Sequence, residues 1–489
     1  MLRYGYPLIF VFIVWMATPI YAQPSPLHVS DNGQCLINQE GKAVFLNGDT
    51  GWKLPINLSR EEAAFYLQTR KEQAFNTIAI AAIMGEELTN FYGHDPFYKT
   101  GGRWDPAQPI TTPGNAPEDS LAYDYWDHLD YIIDEAGKLD VYVVLVVSFN
   151  EWVVGSNDGQ DRSKILFNET NAYQYGHWIG NRYRDQTHIL WMLGGDRSAV
   201  YGANDYTSVF RAMSEGIVDG VHQVNQPNGK ADYSGLLMSF HPQKGHPNSA
   251  TWFHHDPWLS FNSIQACPSD QVGLIAHNDT LRPAKPSWLF EGRYEQYTFD
   301  WKAWPMRFQA YLTVFAGGFG HVYGHKDLWA FEKGWQEALY APGGLDMQHL
   351  YHLFQVHLQP YPLQDFLPDQ SLLGTTDPGS VSDQCWKGGT VLAAYTDRLQ
   401  ALRNQLGTAA LVYSANGRSF NLLLDSLSAN QAYWYNPRTG RWNVEEVEYA
   451  EKRPFLSAIP ANAAVVEFDP PGEPGWDNDW VLVLEKNQK

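Results

Sequence analysis

The stretch His188-Ile189-Leu190-Trp191-Met192-Leu193-Gly194-Gly195-Asp196 is an apolar run closed by two glycines and a carboxylate. Such a run predicts a strand buried on both faces, as in a parallel sheet. The glycines end the strand and let the backbone turn tightly, which leaves Asp196 at its C-terminal edge. The pattern recurs in Pro286-Ser287-Trp288-Leu289-Phe290-Glu291-Gly292. In a parallel α/β barrel both carboxylates emerge on the face where barrel active sites sit. Two acids converging there point to acid–base chemistry on a neutral, oxygen-rich substrate.

The strand-then-helix order continues on both sides. Residues 43–49 read as a first barrel strand ending on Asp49, and Ser59 with Glu62 forms a capping box that opens a helix. Residues 76–83 and 141–147 predict the second and third strands, 236–240 the fifth, 259–264 the sixth and 319–323 the eighth. Trp126, Leu129, Ile132, Ile133 and Ala136 fall at helical spacing. Eight such units in roughly 320 residues predict a (β/α)8 TIM barrel with long loops. Residues 84–121, rich in Gly, Pro and aromatics, are expected to form an ordered loop over the barrel mouth. Past Pro360-Tyr361-Pro362, short alternating segments and the turns Asn416-Gly417 and Asn436-Pro437-Arg438-Thr439-Gly440 predict a C-terminal antiparallel β-sandwich. The expected organisation is a barrel over residues 23–367 and a sandwich over 368–489.

With 489 residues, 44% hydrophobic and 18% charged, the chain has apolar material for more than one core. A formal charge of −20 argues against nucleic acid, which needs a basic footprint. Aromatic residues make up 15%, and their rings either fill large cores or wall a sugar site. Met1-Leu2-Arg3, the apolar residues 8–17 and Ile20-Tyr21-Ala22 read as a cleavable signal peptide over residues 1–22. Its apolar run is too short to span a bilayer. The expected location is secreted or periplasmic, with no membrane attachment after cleavage. Cys35, Cys267 and Cys385 allow one disulfide at most and leave one thiol over.

Hydrolysis of a glycosidic bond needs one carboxyl to protonate the leaving oxygen and another to attack the anomeric carbon or activate water. Asp196 and Glu291 are the candidate pair. Each could instead cap a helix or pair with Arg197 or Arg293, and Glu295, Asp49 and Glu151 are rivals. His241, His254, His255, His321 and His325 fall in or near predicted strand ends. Without His-x-His or HExxH spacing, they suit sugar hydroxyls better than a metal. Trp252, Trp258 and Tyr323 are either stacking walls or barrel packing. Neither a metal nor a cofactor is expected.

Several motifs occur together in one order. They are Leu46-Asn47-Gly48-Asp49-Thr50-Gly51-Trp52, Leu193-Gly194-Gly195-Asp196-Arg197, Ser239-Phe240-His241-Pro242, Trp252-Phe253-His254 and Tyr323-Gly324-His325. With Trp434-Tyr435-Asn436-Pro437 and Asp479-Trp480-Val481-Leu482, the chain resembles the apiosidase-like glycoside hydrolases, barrels followed by a module named for collagen binding. The resemblance implies that Asp196 is the acid/base and Glu291 the nucleophile. Two departures fall near the expected pocket: Phe290-Glu291-Gly292 replaces the usual Gly-Glu-Pro, and Ala266-Cys267-Pro268 replaces the usual Ser-Gly-His.

The resulting expectation is a secreted, exo-acting, retaining glycoside hydrolase that releases an apiose-like or related terminal sugar from a polysaccharide or oligosaccharide. Retention predicts carboxyls about 5–5.5 Å apart, and the acid/base role predicts a raised pKa for Asp196. Asp49, Trp52, His241, Trp252, His254, Tyr323 and His325 are the candidate substrate contacts. The competing readings are a non-catalytic glycan-binding protein on a degenerate barrel and a metal-dependent hydrolase.

Overall fold

The structure, a computed structural model, describes residues 23–85, 88–119, 121–156, 161–245, 248–297, 301–359, 361–381, 395–459 and 464–487. The expected signal peptide and Cys385 lie outside the described residues.

The barrel strands are β1 (Leu46–Thr50), β2 (Thr77–Ala81), β3 (Tyr142–Val146), β4 (Ile189–Gly194), β5 (Met238–His241), β6 (Asn262–Gln265), β7 (Ser287–Glu291) and β8 (Gly320–His325). They pair in parallel in the order β5-β4-β3-β2-β1-β8-β7-β6, with Tyr294–Glu295 attached to β8. Between β5 and β6 side-chain and backbone hydrogen bonds close the ring. The Ser239 hydroxyl donates to Phe261 O at 2.7 Å and meets Ser263 Oγ at 2.9 Å, and Ser260 N–H donates to Met238 O at 2.8 Å.

The period of two along each strand sorts the side chains. Leu46, Ala79, Val144, Leu190, Met192, Trp288, Phe290 and Val322 fill the barrel interior. Their neighbours Phe45, Ile78, Val143, Trp191, Leu193 and Tyr323 pack outward against the helices.

Those helices are α1 (Arg60–Glu72), α2 (Tyr125–Lys138), α3 (Glu169–Arg182), α4 (Thr207–Val221), α5 (Pro268–Thr280), α6 (Ala303–Phe315) and α7 (Pro342–His352). The expected capping box opens α1: Ser59 Oγ accepts from Glu62 N–H, and Glu62 Oε2 accepts from Ser59 N–H. Between α3 and α4 the backbones touch. A Cβ at Gly176 or Gly180 would land on backbone atoms of α4, and one at Gly216 or Gly220 on backbone atoms of α3.

The described part of residues 84–121 carries the antiparallel strands Phe97–Thr100 and Arg103–Pro109. It does not cover the mouth with its aromatics. Phe97 packs back against Trp126 and Tyr175, at 5.7 and 5.6 Å between ring centres.

Seven C-terminal strands, β9 (Phe366–Pro368), β10 (Leu399–Asn404), β11 (Ala409–Ser414), β13 (Gln431–Asn436), β14 (Arg441–Val444), β15 (Val447–Tyr449) and β17 (Trp480–Glu485), form one antiparallel sheet. The strands β12 (Phe420–Leu423) and β16 (Val465–Phe468) form a second, two-stranded sheet. Because β9 pairs with β10, the barrel's expected end at 367 falls inside a C-terminal strand. One face of the large sheet buries Ala410, Val412, Trp434 and Leu482 against Phe420, Leu422 and Phe468 of the small one. The other face, with Leu411, Tyr413, Tyr435 and Val483, joins the core around the barrel helices.

At that junction Arg307 of α6 is buried among carboxylates. Its guanidinium donates to Asp479 Oδ1 at 2.8 Å and to Asp346 Oδ2 at 2.6 Å, and it also pairs with Asp477. Burial drives the Asp346 pKa up to about 7 against the pull of Arg307. Tyr311 stacks on Tyr413 at 5.0 Å, and Trp304 Nε1–H donates to Ala415 O at 2.9 Å. Cys267 is disulfide-bonded and Cys35 is a buried free thiol, so one bridge leaves one thiol over.

Removing one partner of a buried charge network leaves the others uncompensated. We expect Arg307→Ala to lower stability by about 3–5 kcal/mol, read as a lower Tm by calorimetry. A loss below about 1 kcal/mol would reduce the network to a surface ion pair.

Candidate active site

The end of β4 is built from left-handed backbone. Gly194, Gly195 and Asp196 have φ of 89°, 145° and 55°. A Cβ at Gly194 would strike His241 O, and one at Gly195 would sit 2.8 Å from the Phe149 ring. Only glycine fits either place. Asp196 tolerates the left-handed region, as short polar side chains do. Its N–H donates to His241 Nδ1 at 2.9 Å, and Gly195 N–H donates to His241 O at 3.1 Å. The turn therefore hangs on the last residue of β5.

That contact settles the tautomer. A backbone N–H only donates, so His241 Nδ1 accepts and the ring proton sits on Nε2. The approach of Nδ1 to Pro242 O, at 3.2 Å, is then no hydrogen bond. Nε2–H donates to Glu291 Oε2 at 2.8 Å. Burial pushes the His241 pKa down to about 3, so the ring is neutral and its contact with Glu291 is not an ion pair.

Glu291 reaches the mouth through an irregularity. Trp288 and Phe290 point into the barrel, and strict alternation would turn Glu291 outward. However, the pairing register with β6 slips at this point: Ile264 faces Leu289, but Gln265 faces Glu291. A bulge of this kind re-aims a side chain. As a result Phe290 and Glu291 both reach His241, the ring centres of Phe290 and His241 lying 5.0 Å apart.

The two carboxyls differ in environment. Asp196 is 51% exposed and Glu291 16%. Gln265 Nε2–H donates to Asp196 Oδ1 at 2.9 Å. Burial is the first cause that raises Glu291, to about 8, and the Asp196 charge adds to it. Lys244 and hydrogen bonds from Tyr294 and Gln265 oppose the rise. Glu291 is thus a carboxyl that holds its proton at neutral pH. The alternative of a structural Asp196–Arg197 pair is weak, with 3.9 Å between charged atoms. Arg293 lies over the Trp301 ring, 3.9 Å from its centre.

A pocket of about 310 Å³ opens onto the pair. Trp52, Phe149, Tyr294, Tyr297, Trp301 and Trp329 wall it, and Lys244 and Gln265 line it beside the carboxyls. Trp52 Nε1–H donates to Tyr294 OH at 2.6 Å.

Of the predicted substrate contacts, Trp52 lines this pocket and His241 holds both acids from beneath. The structure places the other five elsewhere. Asp49 and Tyr323 are register partners on outward-facing positions of β1 and β8. Asp49 Oδ2 accepts from Arg70 Nε–H and Tyr66 OH, each at 2.6 Å. Tyr323 OH donates to Glu295 Oε2 at 2.6 Å, which removes Glu295 as a rival for the second acid. Trp252 packs edge-on against outward-facing Phe240, at 5.7 Å. His254 is buried after the helix Ser249–Phe253, and His325 Nδ1 accepts from Asp327 N–H at 3.1 Å. Glu151 accepts from Gly85 N–H at 3.0 Å. Among the described residues, no three His, Cys, Asp or Glu side chains group closely enough to hold a metal ion.

Residues 30–359 match the family model described as "Apiosidase-like, catalytic domain". The chain belongs to this family. Residues 389–485 match a family named for a collagen-binding domain of a collagenase. Among solved structures, one described as a glycoside hydrolase is 26% identical, with a TM-score of 0.74 over 95% of this chain and 98% of that one. A glycoside hydrolase family 5 protein from Bacteroides vulgatus ATCC 8482 is 27% identical, with a TM-score of 0.72 over 95% and 94%. No curated protein sequence matches this apiosidase-like chain significantly. The family, the barrel and the two full-length structural relatives make the chain a glycoside hydrolase.

The tautomer is open to direct measurement. In ¹⁵N-edited NMR, His241 should remain neutral with its proton on Nε2 down to about pH 4, given a pKa of about 3. A titration midpoint near the ordinary histidine value of about 6.5 would overturn the assignment.

Proposed function

We propose that this glycoside hydrolase is secreted and retaining, and that it removes one terminal sugar, apiose-like or related, from a polysaccharide or oligosaccharide. Asp196 acts as acid/base and Glu291 as nucleophile. The observation carrying this reading is that one pocket holds both carboxyls, with the neutral His241 bonded to the backbone of one and the side chain of the other.

The environments suit these roles. Glu291 is recessed and held by a fixed N–H, the condition of a group that attacks along one line. Asp196 stands half in solvent, where it can meet the leaving oxygen and then an incoming water. Glu291, with its pKa raised to about 8, carries a proton near neutrality. A sugar whose anomeric carbon gains positive charge beside Glu291 favours its ionised form, which leaves the proton for Asp196 to donate. Lys244 adds a positive charge at the same pocket and favours the ionised form further.

A pocket of about 310 Å³ stands at the small end of ligand sites, which supports release of a terminal unit over cleavage within a chain. Secretion rests on the signal-like residues 1–22. The departures at Phe290-Glu291-Gly292 and Ala266-Cys267-Pro268 flank the pocket, so the sugar can differ from apiose.

The test is release of free sugar from a panel of pectic and hemicellulosic glycans. Wild type should release one sugar with its anomeric configuration retained, read by ¹H NMR at early times. Glu291→Ala and Asp196→Ala should each lose at least about a hundredfold to ten-thousandfold in rate. Retained activity in Glu291→Ala would reject it as nucleophile, and an inverted first product would reject the retaining mechanism. The sign of the pH dependence follows from the proton on Glu291. Below about 8 Glu291 keeps its proton, and above it that proton is lost and cannot be passed on for donation. Accordingly kcat/KM should fall as pH rises through about 8.

A further inference from the structure

A second cavity, of about 600 Å³, lies where the barrel meets the C-terminal module. Trp301 lines it and also lines the catalytic pocket, so the two spaces share one indole. The loop that follows Glu291 serves both: Tyr294 and Tyr297 face the catalytic pocket, and Glu295 and Gln296 face the second cavity. The far wall comes from the C-terminal module, as Trp476 and Asp477.

Trp476 is unusual for a junction residue. It packs on Trp304 of α6 with ring centres 4.4 Å apart and planes at 66°, yet it is 46% exposed. Trp304 is itself fixed by its bond to Ala415 O. Behind Asp477, Arg307 ties the segment to α6. A rigid, half-exposed indole next to a lysine and carboxylates offers an apolar face with polar groups at its edge, the combination that sugar rings present in return.

We propose that this junction cavity is the subsite for the leaving-group side of the glycan, the sugar residues that remain after the terminal unit is removed, and that Trp476 is its stacking platform. The proposal rests on the terminal-sugar reading proposed above. It assigns the C-terminal module a direct share in substrate binding: the terminal sugar occupies the smaller pocket and the rest of the chain passes Trp301 to reach Trp476. Trp476 is a binding residue and takes no part in the chemistry.

The experiment compares wild type, Trp476→Ala and Trp476→Phe on two substrates. One is whichever of pectin, arabinoxylan, xyloglucan or galactomannan yields sugar, and the other is the 4-nitrophenyl glycoside of the sugar released. Trp476→Ala should lower kcat/KM on the polymer at least tenfold, mainly through KM, and leave the nitrophenyl glycoside unchanged, while Trp476→Phe restores most of the loss. Equal rates on the polymer would overturn the subsite, and so would a parallel loss on both substrates, which marks a folding defect. Silence of wild type on all four polymers would count against the proposed release of a terminal sugar from a polysaccharide. The subsite is then read separately, as retardation of the protein in native gels containing each polymer. Retardation lost in Trp476→Ala supports the cavity, and no retardation by any of the four overturns it.

Discussion

The imidazole of His241 is where the catalytic end of the barrel is joined. It takes a proton donor from the backbone after β4 and gives one to the side chain that ends β7, so three strands meet through one ring. Neutrality is what makes the arrangement work. A charged ring would carry a proton on Nδ1 and repel the Asp196 N–H, and the left-handed turn would lose its anchor. Burial among Trp52, Phe149 and Phe290 keeps the ring neutral, with ring centres 5.6, 6.0 and 5.0 Å away. The aromatic packing under the pocket therefore has an electrostatic result: it holds one proton on Nε2, where Glu291 needs it.

Much of this was legible in the sequence, because the barrel strands are short apolar runs ended by glycine or a polar residue, and the helices carry caps such as Ser59 with Glu62. Asp196 and Glu291 stood out for the same reason. What a strand run does not reveal is which face a residue at its end takes. Asp49 ends an apolar run just as Asp196 does, but it keeps the outward phase of β1 and is consumed by Arg70 and Tyr66. Glu291 escapes that phase only through a register slip against β6, which depends on two strands and is invisible in either alone. Gln265 ends a predicted strand and could have been weighed by the same rule. Lys244, Trp301 and Trp329 could not, since they reach the pocket from loops whose paths are set by tertiary contacts.

The C-terminal module reads in sequence as an appended unit, and its segments alternate as a sandwich should. In the fold it is less separable. One face of its large sheet is continuous with the core around the barrel helices, so Tyr413 and Tyr435 belong to the same apolar body as Tyr311 and Phe315. Arg307 adds a polar lock at the edge of that face. The module braces α6, the helix directly after the loop that follows Glu291, which links it physically to the site even before any ligand is considered.

On the opposite side of the ring, α3 and α4 cross with backbone against backbone at Gly176, Gly180, Gly216 and Gly220. Strand β4 runs between these two helices in the chain and ends at Asp196. A crossing without side chains has no rotamers through which one helix can slip past the other. The segment from α3 through β4 to α4 therefore shifts as one piece, and the solvent-facing acid is mounted on a stiff support, with one of its oxygens held by Gln265. Adding a single methyl group at that distant crossing would wedge the helices apart and tilt the acid without touching the pocket.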